Sequence, residues 1–106
     1  MRQEITCSQF VSELDNWVGR VVAIRVTAQS GALLAVFHGV LRERSEEKHP
    51  ATFWPLVHAE PIERIDHLER PGVYLHPSEV EAAAVHVGEN VLELRQGGVA
   101  LNLRRI

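Results

Sequence analysis

The final stretch from Val91 to Ile106, VLELRQGGVALNLRRI, constrains this chain's fold more than any other. Gly97-Gly98 reads as a two-residue turn, because glycine accepts positive φ at both central positions. Pairing across that turn sets Gln96 opposite Val99, Leu94 opposite Leu101 and Leu92 opposite Leu103. One face is then mostly leucine and valine. The other carries Glu93 opposite Asn102 and Arg95 opposite Ala100. A hairpin with one apolar face must bury it against another element. A β-rich domain follows, and no comparable signature of a reaction accompanies it.

The preceding chain supplies the partners. Thr6 or Ser8 caps a short helix over about Gln9 to Trp17, with Phe10, Leu14 and Trp17 on one stripe, Val11 and Val18 widening it, and Gly19 as its stop. Arg20 to Thr27 alternates as a strand, with Val22, Ile24 and Val26 on one face, and Gln29-Ser30-Gly31 is a turn. Ala32 to Arg44 is a long strand or a bent pair of strands, and Gly39 is where a bend is easiest. Glu43 to Pro50 is a polar connector. Phe53 to Val57 is an edge strand or an ordered loop, because Pro55 lacks an amide proton. Pro61 to Arg70 reads as a short helix or turn, and Val73 to His76 as an extended piece. The ambiguous run AAAVHV is read as a strand, because Gly88-Glu89-Asn90 turns it into the terminal hairpin.

The predicted fold class is mainly β: a short N-terminal helix on a strongly bent five-stranded antiparallel sheet, or a small barrel. At 106 residues the chain is the size of one domain, read as a single unit over 1–106 with an acidic inserted segment at about 43–72. Residues 43–81 hold nine acidic and four basic side chains, so this segment is either a solvated surface elaboration or an acidic face for a partner.

Gly19 to Leu41, GRVVAIRVTAQSGALLAVFHGVL, joins a hydrophobic strand, a turn glycine at Gly31, and a second strand with a glycine before a leucine, Gly39 and Leu41. Arg95-Gln96-Gly97-Gly98 adds an arginine-glycine element before the last strand. Together these resemble the Sm-like family of small SH3-type barrels. The resemblance implies an N-terminal helix stacked on a bent five-stranded sheet, assembly into rings through edge strands, and RNA binding. The first turn, Gln29-Ser30, differs from the acidic or asparagine residue usual in that family.

No convergent catalytic set is visible. The six histidines include His49, His58, His67 and His76 at nine-residue intervals, without the close spacing of zinc ligands. Glu63 and Asp66 near His67 are the nearest oxygen donors. Cys7 is the single cysteine, so no intrachain disulfide forms, and as a nucleophile it lacks a local base. Asp66 with Glu69, and Glu79 with Glu81, read as loop and cap carboxylates. The expectation is a non-enzyme with no cofactor and no metal site.

Ten of the eleven basic residues are arginine, while the net charge is -3. Nucleic-acid sites on small barrels combine guanidinium groups with aromatic platforms. The candidates for such a site are Arg20, Arg25, Arg42, Arg44, Arg104, Arg105, Trp54 and Tyr74. Core packing is the competing assignment for the aromatics. The leading functional expectation is a non-catalytic module that self-associates through sheet edges into a homo-oligomer, with a protein partner or a regulatory role. An RNA-binding barrel is the alternative, and a small metal-binding protein or enzyme the second alternative. A basic, aromatic-lined patch favours RNA; an apolar or acidic open face favours self-association. The longest apolar run, Gly31 to Val40, is too short to span a bilayer, and Met1-Arg2 opens onto polar residues, so a cytoplasmic protein with no membrane partner is expected.

Overall fold

A computed structural model describes residues 1–46, 52–57 and 72–106. Strand β1 (Arg2–Glu4) leads into helix α1 (Cys7–Asp15), followed by β2 (Val21–Ala28), β3 (Leu33–Leu41), β4 (Ser45–Glu46), β5 (Thr52–Val57) and β6 (Gly72–Leu75). A single 3-10 turn (Pro77–Glu79) then precedes β7 (Val80–His86), β8 (Val91–Gln96) and β9 (Val99–Arg105). The run AAAVHV is therefore strand from Ala82 to His86, as its valines predict, and Val87 belongs to the turn that follows. The Pro61 to Arg70 expectation lies outside the described residues.

Thr6 is the helix cap. Its hydroxyl accepts from the Gln9 amide at 3.1 Å, and the Gln9 side chain accepts from the Thr6 amide at 2.8 Å, a reciprocal pair that satisfies two otherwise orphaned donors. The helix begins and ends two residues earlier than the apolar stripe predicts. Trp17 lies beyond it, yet is buried with Phe10 and Leu14.

The strands form one antiparallel path, β1-β7-β8-β9-β2-β3-β5-β4, with β6 on the other side of β5. The terminal hairpin has the register its sequence predicts, with Leu94 facing Leu101 and Leu92 facing Leu103. Gly97 and Gly98 take φ of 55° and 78°.

The sheet is open, and this overturns both the five-stranded sheet and the small Sm-like or SH3-type barrel. Eight strands lie along the path, and its end strands β1 and β4 do not pair with each other. Two features extend the sheet instead of closing it. The N-terminal residues add β1 to the edge of β7, with Arg2 facing His86 and Glu4 facing Ala84. Beyond Leu41 the strand is interrupted at Arg42 to Arg44 and resumes as β4, still along β5, and β6 adds to the other edge of β5.

Gly39 carries no bulge, because its register opposite Val22 is unbroken. It lies inside β3, where the Val57 carbonyl oxygen crosses so closely that an added Cβ would sit 2.7 Å from it. Nor is β5 an edge: it pairs with β3 and β4 on one side and with β6 on the other. Pro55 is accommodated because the ladder uses its carbonyl, which accepts from the Arg42 amide at 2.9 Å.

The core lies on one face of the sheet. Val22, Ile24, Leu92, Leu94 and Leu103 from the sheet meet Phe10, Leu14 and Trp17 from the N-terminal segment and Trp54, Val73 and Leu75 from β5 and β6. Among the described residues, no helix is long and apolar enough to cross a membrane.

Candidate functional site

Strand alternation leaves a second face uncovered by the helix. In β2 it buries Val22 and Ile24 and turns Ala23, Arg25 and Thr27 the other way. In β9 the same face carries Ala100, Asn102 and Arg104, and in β8 Glu93 and Arg95. Pairing brings these into rows. Arg25 faces Asn102, which faces Glu93; Thr27 faces Ala100, which faces Arg95, which faces Ala82. Alanines 23, 82, 84 and 100 are too small to fill the space between the long side chains. The result is a shallow groove of about 710 Å³ walled by Arg2, Arg25, Arg95 and Arg104.

Glu93 is the one carboxylate among the residues lining this groove, and it is already engaged. It accepts from the Arg2 guanidinium at 2.9 Å and lies 2.5 Å from the His86 ring nitrogen Nε2. Partial burial pushes its pKa up, but hydrogen bonds from His86 and Arg2, with their charges, outweigh burial and hold it below the ordinary carboxylate value. Arg25, Arg95 and Arg104 make no side-chain hydrogen bond or ion pair among the described residues.

The eight residues marked by the sequence do not converge. Arg25 and Arg104 share the groove. Arg44 is held away from it by Asp15, Nε to Oδ2 at 3.2 Å. Arg105 points to the core side, bonding Asn90 at 2.6 Å and lying 5.9 Å over the Trp17 ring. Arg20 and Arg42 are exposed at the ends of the β2–β3 pair, outside the groove lining. Trp54 is fully buried, with its indole N–H donating to Asp15 at 2.9 Å, and Tyr74 stacks on Phe53 with ring centroids 4.2 Å apart. Neither forms a platform beside the groove arginines. Arg2 and Arg95 were not singled out. Arg95 stands on the polar face of the hairpin, a signal the sequence already carried, whereas Arg2 joins only through the unforeseen pairing of β1 with β7.

A second feature adjoins the groove. Strand β3 pairs with β2 along its length, but with β5 only at Val40 and Leu41. Among the described residues, the other edge of Leu33 to His38 has no partner strand. The register with β2 slips by one residue between Val26 and Thr27, leaving Leu34 as the extra residue of a bulge. Leu33, Leu34 and Val36 are 57%, 57% and 59% exposed. Val36 also lines the groove, so edge and groove are contiguous.

Among the described residues, no three histidine, cysteine, aspartate or glutamate side chains group in a way that could hold a metal ion. Cys7 is half-buried and unpaired.

No protein-family model matches the chain, and no curated protein matches it. Among solved structures, the crystal structure of the Bacillus subtilis YojF protein is similar in fold. The two share 14% identity at a TM-score of 0.53, over 98% of this chain and 92% of that one.

Proposed function

We propose that this protein is a non-catalytic interaction module that self-associates by pairing its β3 edge with the β3 edge of a second copy. The observation that carries this reading is the run Leu33 to His38, with one side of its backbone ladder unpaired among the described residues and three large apolar side chains exposed. Unpaired N–H and C=O groups in a row template the addition of another strand, and apolar side chains add burial to those hydrogen bonds. An antiparallel pair of identical edges closes on itself under two-fold symmetry, so association stops at a dimer.

The RNA alternative has thinner support. The groove is basic but has no aromatic among its lining residues, and Trp17, Phe53 and Trp54 are all buried. A cytoplasmic setting suits the unpaired thiol of Cys7, which a reducing compartment preserves.

Light scattering over a concentration series tests the proposal. The expected result is a dimer mass for the native chain and a monomer mass for Leu34→Lys, with unchanged circular dichroism. A native chain that stays monomeric at every concentration overturns it, as does a Leu34→Lys dimer of unchanged affinity.

A further inference from the structure

We propose that the arginine-walled groove binds a small polyanion, a molecule carrying two or more phosphate or carboxylate groups held between Arg25, Arg95 and Arg104. This inference rests on the open face of the sheet and not on the β3 edge, so it stands or falls independently of self-association.

Charge is the first argument. The chain as a whole is negative, at -3. Yet four of its ten arginines line this one groove, with Glu93 as the lone carboxylate among the lining residues. The cationic face is therefore not the by-product of a basic protein. Glu93 offsets only one of the four, because its Oε2 accepts from Arg2 and lies beside His86 Nε2, leaving Arg25, Arg95 and Arg104 without a carboxylate partner among the described residues.

Placement is the second. Arg25 and Arg104 stand diagonally on adjoining strands, about 7–8 Å apart at the backbone. Arg95 lies two strands from Arg25, about 10 Å across the sheet. No two of them are directly opposite, so the sheet tolerates all three on one face while their side chains reach toward the same space. Guanidinium remains cationic at any ordinary pH and offers a planar fork of donors matched to phosphate and carboxylate oxygens. Asn102, exposed between Arg25 and Glu93 in its row, adds a neutral donor and acceptor.

Shape supplies the third argument and selects the ligand's size. The alanine floor keeps the groove open, and about 710 Å³ lies within the range of small-molecule sites. No aromatic lines it for base stacking, and no large apolar pocket anchors a protein side chain. A compact anion uses what the groove offers.

Isothermal titration of the full chain at low ionic strength, with inorganic pyrophosphate and separately with citrate, tests this. At least one probe is expected to give a saturable event with one ligand per groove, and comparison of the two distinguishes phosphate from carboxylate preference. Arg25→Gln, Arg95→Gln and Arg104→Gln are each expected to weaken binding about tenfold or more, while Arg20→Gln leaves it unchanged. All four side chains are exposed, and melting curves verify that each variant folds. Ala100→Leu fills the floor while keeping every charge, and is also expected to weaken binding. No saturable heat with either probe overturns the proposal. Equal weakening by Arg20→Gln, or unchanged binding in Ala100→Leu, overturns it in favour of diffuse charge attraction. A mixed RNA pool that binds more tightly than both probes and is lost in the same arginine variants overturns it in favour of nucleic acid.

Discussion

The side chain of Gln96 stands in for a missing strand opposite His76: its amide oxygen accepts from the His76 backbone N–H at 2.9 Å. The same amide donates to the Tyr74 carbonyl. Gln96 is 5% exposed at the end of β8, so one buried side chain ties β6 to the terminal hairpin where no backbone ladder joins them.

Replacing it tests that tie. Gln96→Leu keeps the volume but leaves the His76 amide and the Tyr74 carbonyl without this partner. A loss of about 1–3 kcal/mol is expected from denaturant unfolding, with faster hydrogen exchange at His76. Unchanged exchange there would show that the side chain is not the amide's protection.

Leu94 tests the hairpin register. It is 1% exposed and faces Leu101. Leu94→Ala is expected to cost about 2–5 kcal/mol, as for other buried leucines truncated in a packed core. A nearly unchanged melting temperature would mean that this face of the hairpin is not buried.

Asp15 joins the helix to β5 through a different chemistry. One of its oxygens accepts from the buried Trp54 indole at 2.9 Å and the other meets Arg44 at 3.2 Å. Asp15→Ala strands the indole N–H, and a loss of about 1–3 kcal/mol is expected. Arg44→Ala breaks only the half-exposed ion pair, so its effect on the unfolding midpoint is expected to be much smaller.

Glu93 gives a pH signature. Its pKa is held below the ordinary carboxylate value in the folded chain, because hydrogen bonds from His86 and Arg2 and their charges outweigh partial burial, so the folded state favours the ionised form. That contribution is present above the unfolded value and is lost as pH falls through the folded one. Glu93→Gln is therefore expected to be less stable than the native chain at neutral pH, with the difference closing in acid. A gap independent of pH, read from urea midpoints, would assign the effect to packing.

The residues of the candidate groove were individually visible in the sequence, but their assembly was not. Alternation in β2 and in the hairpin already placed Arg25 and Arg95 on polar faces. That Arg25 stands beside Asn102 depends on β2 pairing with β9, strands separated by most of the chain. Position along the chain, in the first two strands and at the last residues, grouped Arg44 and Arg105 with Arg25 and Arg104, although Asp15 and Asn90 hold the first two elsewhere.

Local order was set by the sequence itself. The Gly97-Gly98 turn admits one register for the alternating leucines, and Thr6 with Gln9 closes the helix start, because both depend on residues within a few positions of each other. Whether the sheet closes was decided only in three dimensions. Closure depends on which strand reaches each edge, and β1 on β7, β6 on β5 and the close approach of the Val57 carbonyl to Gly39 are contacts between distant segments. Alternation specifies which face of a strand is buried; it is silent on which strand lies alongside, and that pairing opened the sheet and brought the unpaired arginines onto one face.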